Sequence, residues 1–132
     1  MTTFGAIGIA GTGMTTTRKW MDAISDNISN VNTVTSTDEA AFRERFVVAG
    51  PLSSGQGGVE VRGVELGSAE GRLVYDPDHP LADAKGYVRY PSIDMASQMT
   101  QLIVAQRSYQ ADSAVIQRAT EAYQAALKIG RN

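Results

Sequence analysis

The stretch from Ser92 to Ile129 contains neither glycine nor proline, and it constrains the fold of this chain more than any other feature. At about 1.5 Å per residue, a helix over this stretch would be roughly 55 Å long. Pro91 and Ser92 supply a start signal and Gly130 a stop signal. A helix of this length cannot cover its own seam, so it needs a partner. The predicted C-terminal seam, with the alternating spacing of four and three that marks one helix face, consists of Met95, Met99, Leu102, Gln106, Tyr109, Ser113, Ile116, Thr120, Tyr123 and Leu127.

The N-terminal third carries the same rhythm and predicts that partner helix. A second row beside its seam ends in the amides Asn27 and Asn30. Glycines at positions 5, 8, 11 and 13 each cost about 1 kcal/mol relative to alanine in a helix interior. We therefore expect the first turns to become ordered only on assembly. The predicted N-terminal seam consists of Ile7, Ala10, Met14, Thr17, Met21, Ile24, Ile28 and Val31.

Between the helices the composition changes to β-branched and aromatic residues separated by glycine-rich turns. We predict strands at Phe42–Ala49, Val59–Leu66 and Arg72–Tyr75, a bulge near Gly63, and a last extended piece at Tyr87–Tyr90.

These elements predict an α+β fold in which long N-terminal and C-terminal helices pair as an antiparallel, coiled-coil-like core, with a small β-hairpin region inserted between them. The predicted segments are an assembly helix at 1–33, a β-rich insert with an Asp- and Pro-rich return loop at 34–91, and a second assembly helix at 92–132. We expect the insert to lie outside the helical core.

The bulk properties exclude several classes of function. The net charge is -2, with 12 basic and 14 acidic residues mixed along the chain, so no nucleic-acid partner is expected. There is no cysteine for a disulfide, a thiolate metal site or a nucleophile. No run approaches the roughly 18 apolar residues of a membrane span, and no basic segment precedes the mildly apolar N-terminus as in a cleaved signal peptide.

Three patterns that sometimes carry chemistry have simpler explanations. Gly8–Thr15 has the glycine spacing of a phosphate-binding loop, but Met14 stands where the lysine must be and no strand precedes it. His79 lies between prolines and has no second histidine or cysteine nearby, so a rigid turn explains it better than a metal site or a small hydrolase. We predict no catalytic, metal or cofactor residues, no cofactor and no small-molecule substrate.

The amides at the end of the N-terminal helix allow two interpretations. Asn27, Asn30 and Asn32 suit a helix C-terminus, where asparagine tolerates left-handed geometry. They also suit hydrogen bonds between helices that fix the register of a bundle.

Two segments resemble a known family. Ser25–Thr33, read as S-D-N-I-S-N-V-N-T, resembles the A-N-N-I-A-N-V-N-T signature of flagellar rod, hook and hook-associated axial proteins at six of nine positions. Tyr75–Pro91 resembles the Y-D-P-x-H-P-x-A-D-x-x-G-Y-V-x-x-P signature of the proximal-rod members. Ala105–Asp112 is similar to the family's S-R-S-Y-E-A-N segment, with departures at Gln110 and Asp112. The residues of the family signature loop are Asp76, Pro77, His79, Pro80, Asp83, Gly86, Tyr87 and Pro91.

The resemblance implies a structural subunit of the proximal rod of the bacterial flagellar basal body, outside the cytoplasmic membrane. It implies export by the flagellar type III export apparatus without a cleaved signal, and contacts with itself, other rod proteins and the ring-to-rod adaptor. The alternative is a cytoplasmic helical interaction or chaperone-like module, which would use the same seams. The predicted assembly interface consists of Met14, Met21, Ile24, Asn27, Asn30, Val31, Met99, Leu102, Tyr109, Ile116, Tyr123 and Leu127.

Overall fold

The computed structural model describes residues 3–55 and 57–130, and it has the predicted α+β arrangement of two long helices with small β-hairpins between them. Neither helix in those ranges is long and apolar enough to cross a membrane. The elements in chain order are α1 (Thr3–Asn30), β1 (Arg45–Pro51), β2 (Val59–Leu66), β3 (Arg72–Tyr75), β4 (Tyr87–Tyr90) and α2 (Met95–Ile129).

The helix boundaries differ from prediction by a few residues, and local hydrogen bonds explain the difference at the start of α2. The carboxylate of Asp94 accepts a hydrogen bond from the backbone N–H of Ala96, so Asp94 is the N-cap and Pro91 and Ser92 lie before the helix. At the other end the N–H of Gly130 donates to the carbonyl of Ala126, which confirms the predicted stop. The capping signal at Asp94 was readable from the sequence.

The two helices run antiparallel, as predicted, and the contacts along their length fix the register. The start of α1 lies beside the end of α2, and the end of α1 beside the start of α2. The pairs that show this are Phe4 with Tyr123 (ring centroids 5.0 Å apart), Arg18 with Tyr109 (3.2 Å) and Asn27 with Gln98 (3.0 Å).

The face that α2 turns toward α1 corrects half of the predicted C-terminal seam. Leu102, Tyr109 and Ile116 are partly buried on this face, and Tyr123 contacts Phe4 there. The second row was placed on the wrong side: Met99 is 48% and Leu127 51% exposed, and Gln106, Ser113 and Thr120 are exposed as well. Met95, in the first turn of α2, begins the first row but is also exposed. The row that packs instead is Gln98, Ala105, Asp112 and Ala119.

Small side chains explain this shift of phase. Ala105 is completely buried, and a Cβ added at Gly13 would lie 2.4 Å from the Asp112 carboxylate. The two backbones therefore approach closely along the alanine-containing row, which large methionine side chains would prevent. Hydrophobic spacing by itself predicts that the methionines, and not the alanines, face α1.

The β region forms two separate antiparallel hairpins, β1–β2 and β3–β4. The register of β1–β2 shifts between Val48 and Ala49, which pair with Gly63 and Val61, so Arg62 is left unpaired. This confirms the bulge predicted near Gly63. β1 extends to Pro51, two residues beyond the predicted strand, because Pro51 pairs with Val59 at the start of β2.

The position of the first hairpin overturns the expectation that the insert lies outside the helical core. The β1–β2 hairpin lies along α1 and is held at both ends. At one end the backbone of Arg45 bonds to the side chain of Asn27, and at the other the N–H of Val59 donates to the Thr12 hydroxyl at 3.0 Å. α1 is therefore packed between α2 on one side and the hairpin on the other.

Candidate assembly surface

A buried pair of amides joins three elements at the base of the helix pair. Asn27 on α1 and Gln98 on α2 are each 1% exposed. The Asn27 Nδ2 donates to the Gln98 Oε1 and to the carbonyl of Arg45, both at 3.0 Å, while its Oδ1 accepts from the N–H of Arg45 at 2.8 Å. One side chain thus satisfies both backbone groups at the start of β1, which no other strand pairs on that side.

The second amide extends this network to a carboxylate. The Gln98 Nε2 donates to the Glu44 Oε1 at 2.7 Å. Burial raises the pKa of Glu44, and Asp94 raises it further, while the bond from Gln98 opposes both effects. Glu44 is therefore harder to ionise than an ordinary glutamate, at the position where it accepts the hydrogen bond from Gln98 on α2.

Asn27 fits the interhelical interpretation of the asparagine cluster and Asn30 fits a helix end, but the left-handed geometry is wrong, because no described residue other than glycine has a positive φ. Asn27 makes the interhelical bond. Asn30 instead donates to the carbonyl of Asp26 on its own helix and accepts from the Thr33 hydroxyl, which are contacts of a helix end.

The family signature loop builds its own shape. The Asp83 Oδ1 accepts from the N–H groups of Lys85 and Tyr87 at 2.8 and 2.9 Å, and its Oδ2 accepts from the Thr37 hydroxyl at 3.2 Å. The bond from the Tyr87 N–H is the main reason that the pKa of Asp83 is lowered. Gly86 has a φ of 83°, and a Cβ there would lie 2.9 Å from the Tyr75 ring. The bonds of Asp83 and the left-handed backbone at Gly86 hold the loop in its turn.

His79 and the glycine-spaced segment Gly8–Thr15, two patterns that sometimes carry chemistry, have structural roles here. The His79 Nδ1 accepts from the N–H of Leu81 at 3.1 Å within its own turn, as the rigid-turn interpretation expects. Gly8–Thr15 lies inside α1, so its backbone N–H groups are not arranged as a phosphate-binding loop. Within the described residues, no group of three or more histidine, aspartate or glutamate side chains is placed to hold a metal ion.

Sequence reasoning missed the arginine that ties the insert together. The Arg89 guanidinium donates to the carbonyls of Thr37 (2.7 Å) and Glu70, and its backbone pairs with Thr35. It therefore connects β4 to both flanking loops. No pattern in one sequence marks an arginine whose partners are backbone carbonyls.

The predicted interface residues fall into three groups by exposure. Ile24, Asn27 and Val31 are buried within the subunit. The partly exposed members are Met14, Met21, Asn30, Leu102, Tyr109 and Ile116, and the exposed members are Met99, Tyr123 and Leu127. Only the partly exposed and exposed groups present surface to another subunit, and as contacts between subunits they remain a prediction.

Large apolar side chains are exposed along α2. Every residue from 121 to 130 is exposed, and Ile129 is 78% exposed. On α1, a Cβ added at Gly8 or Gly11 would meet nothing within 4 Å. Both helices therefore keep surfaces that the rest of the described chain does not cover.

Comparison with known proteins gives matches over both helices. A family model described as "Flagella basal body rod protein" matches residues 7–35, and one described as "Flagellar basal body rod FlgEFG protein C-terminal" matches residues 84–129. The flagellar basal-body rod protein FlgC of Borreliella burgdorferi is 34% identical, with 96% of each chain covered. FlgC of Escherichia coli O6:H1 is 38% identical over 82% of this chain and 83% of its own. FlgC of Bacillus subtilis is 28% identical over 99% of this chain and 100% of its own length.

Proposed function

Because this chain belongs to the FlgC family of flagellar basal-body rod proteins, we propose that it polymerises into the rod through the uncovered faces of α1 and α2. The family is one of structural rod proteins, not enzymes, and its place is the flagellar basal body. The resemblance seen in the sequence is thereby confirmed. A rod subunit assembles with other flagellar rod components.

The observation that carries the proposal is the exposed end of α2. Tyr123, Leu127 and Ile129 lie in a segment that is exposed throughout, although its sequence keeps the apolar spacing of a packed helix. A helix end of this kind is suited to burial against another chain, because removing apolar surface from water is favourable by about 25 cal/mol of free energy per Å².

Assembly of this kind gives the chain a mechanical role. In our proposal the helix pair forms the rigid part of the subunit and transmits torque along the rod. The partly exposed and exposed seam residues supply contacts between subunits, and the 34–91 segment sets contacts particular to the proximal rod. The ring-to-rod adaptor is proposed as one neighbour.

The route to the rod is part of the same proposal. We propose export by the flagellar type III apparatus in an unfolded form, without a cleaved signal peptide. Glycines at 8 and 11, which no contact requires, lower the helix propensity of the first turns and so favour an N-terminus that orders on assembly.

The test is Leu127→Asp in a strain that lacks its own copy of this protein. We expect the purified variant to keep its helical circular dichroism and its unfolding midpoint, because Leu127 is exposed. Swimming and recovery of the chain in purified basal bodies should be lost, since a charge would enter an apolar contact.

The matched control is Gln124→Asp, which adds the same charge to the same exposed turn at a polar position and should leave swimming intact. The amount of variant released into the medium separates export from assembly. A Leu127→Asp strain that swims and incorporates the chain normally contradicts the proposal. A chain that remains a small oligomer in the cytoplasm supports the chaperone-like alternative.

A further inference from the structure

A groove runs along α1 beside the β1–β2 hairpin. Two adjoining cavities of about 330 and 500 Å³ mark its course, and their lining comes from α1 and the hairpin. Both cavities are lined by Lys19 and Val61, so they form one continuous depression. It extends from Gly8 near the start of α1 to Asp26 near its end. We call this depression the hairpin groove.

The lining of the hairpin groove is largely apolar and leaves room on the α1 side. Val47, Val61 and Val64 line it from the hairpin. Gly8 and Gly11 line it from α1, and a Cβ added at either glycine would meet nothing within 4 Å. An apolar side chain that entered the groove from another molecule would therefore find space and lose contact with water.

Two charged side chains of the hairpin groove have no partner. Lys19 and Asp22, one turn apart on α1, make no side-chain hydrogen bond or ion pair with a described residue. Arg18, one turn before Asp22, donates to Tyr109 instead, and the pKa of Arg18 is raised mainly by that bond and only last by Asp22. The other charged residues of the groove are bonded within the chain: Asp26 to Arg45, Arg62 to the carbonyl of Pro51, and Glu60 to the Ser53 hydroxyl.

The end of α2 presents a face that no part of the described chain covers. Arg118, Glu121, Ala125 and Ile129 stand at i, i+3, i+7 and i+11, so they share one side of the helix, and all four are exposed. Tyr123, which contacts α1, lies on the opposite side. We call these four residues the outward face of α2.

The charges of the outward face repeat the pattern of the hairpin groove. Arg118 makes no hydrogen bond or ion pair with a described residue, and the Glu121 carboxylate accepts only from the neutral Gln117 amide, at 3.1 Å. Arg118 and Glu121 are one turn apart but form no ion pair with each other. On both helices a basic residue comes three positions before an acidic one, as Lys19 does on α1.

We propose that the outward face of α2 docks antiparallel in the hairpin groove of a second copy of this chain. Glu121 then meets Lys19 and Arg118 meets Asp22, because the equal spacing on the two helices brings both pairs together at once. A parallel arrangement would place Lys19 against Arg118. Charge complementarity thus selects both the occupant and its direction. The inference rests on the proposed function, since it assumes that copies meet in the rod.

The same register brings the apolar end of α2 to the roomiest part of the groove. With Glu121 level with Lys19, Ala125 is level with Thr15, and Ile129 is level with Gly11. Ile129 is 78% exposed in the subunit. Within one chain no contact requires glycine at position 11, whereas in this contact a larger residue would keep Ile129 out.

The contact forms between copies and not within one chain. In one chain Arg18 is level with Tyr109, to which it donates at 3.2 Å. Glu121 lies twelve residues, or about 18 Å, further along α2. Because α1 and α2 are also antiparallel within the chain, the second copy runs in the same direction and is displaced by roughly 20 Å along the helix axis. The contact is therefore heterologous and propagates from copy to copy.

Charge reversal in living cells tests the pairing. We expect Lys19→Glu alone and Glu121→Lys alone each to reduce swimming and recovery of the chain in basal bodies, because each places like charges together. Both residues are exposed, so helical circular dichroism and the unfolding midpoint should not change. The two substitutions combined should restore incorporation and swimming. The matched control is Lys19→Glu with Gln110→Lys, which adds the same charge elsewhere on α2 and should not restore them.

Three outcomes overturn the inference. If the separate reversals are incorporated normally, the two side chains do not meet a charged partner. If the combination does not recover, another rod protein occupies the hairpin groove or covers the outward face. If Gln110→Lys restores incorporation as well as Glu121→Lys does, net charge and not this pairing is responsible.

A second measurement does not depend on charge. The chain has no cysteine, so Thr15→Cys with Ala125→Cys introduces a pair that reports alone. Mild oxidation of basal bodies should give a disulfide-linked ladder that extends beyond the dimer, and neither single variant should give one. Thr15→Cys with Ala111→Cys, fourteen residues or about 21 Å earlier on α2, is the control and should give no ladder.

The result also separates this contact from the proposed function. A double variant that is incorporated into basal bodies but yields no ladder contradicts the contact and leaves the rod function standing. If the unaltered chain is itself missing from basal bodies, the proposed function fails, and this inference fails with it.

Discussion

The two ends of the helix pair share one heptad rhythm but differ in how they are packed. At the base, where α1 ends and α2 begins, Ile24, Asn27 and Gln98 are each 1% exposed. At the far end, where α1 begins, α2 is exposed from residue 121 to its last residue, Ile129. The base has a third layer, since β1 begins against Asn27. Toward the far end the hairpin still reaches Thr12 on α1, but the last turns of α2 have only the first turns of α1 beside them.

This contrast shows what a heptad spacing specifies. The spacing gives the face on which a helix can pack, and both ends have it. Whether that face is covered within the subunit depends on the elements that the rest of the chain brings to it. The base is therefore the folded centre of the subunit, and the far end is what remains for neighbours.

The largest expected effect comes from Ile24→Ala. Ile24 is almost fully buried at the base, so the substitution should lower the free energy of unfolding by about 2–5 kcal/mol, measured by urea denaturation. The matched substitution toward the far end is Val115→Ala, where the valine is 46% exposed, and it should change that free energy by less than about 0.5 kcal/mol. Equal losses at both sites would remove the distinction between the two ends.

A smaller effect is expected from Asn27→Leu. The substitution leaves the backbone of Arg45 and the Gln98 amide without their partner, at a cost of about 1–3 kcal/mol in unfolding free energy. Gln98→Leu in the same chain should recover part of the loss, because two apolar side chains then meet. Urea denaturation of both single variants and the double variant measures the coupling, and strictly additive losses would show that the two amides act separately.

The smallest effect concerns the glycines of α1. Gly11→Ala should stabilise the isolated subunit by about 0.5–1 kcal/mol, since the added methyl meets nothing within 4 Å and alanine favours the helix. Gly13→Ala is the control, because its methyl displaces the Asp112 carboxylate and so offsets that gain. Thermal unfolding compares them. A Gly11→Ala chain that is more stable yet swims poorly would place a neighbouring subunit against that face.

Periodicity and turn chemistry were enough to predict the architecture. They gave both helices, their antiparallel pairing, a small hairpin region and the bulge near Gly63, but not the division of that region into two separate hairpins. They did not give the phase of α2, because Met99 and Ala105 both fit a heptad and only the closeness of the two backbones decides between them. The sequence pattern did not indicate the hydrogen bond between Gln98 and Asn27, because the two residues lie 71 positions apart. The predicted interface could be divided into internal and available residues only after burial was known.

Asn27 has a further consequence for how the subunit responds to load. Its side chain makes three hydrogen bonds, two to the backbone of one residue on β1 and one to α2. To slip β1 along α1 by one residue, about 3.3 Å, would break both bonds to the strand at once, with no adjacent amide on α1 in place to re-form them. The joint therefore resists shear as a single unit. The last turns of α2, which are exposed from residue 121 onward, have no such tie to a strand, so we expect them to yield first under a twisting force.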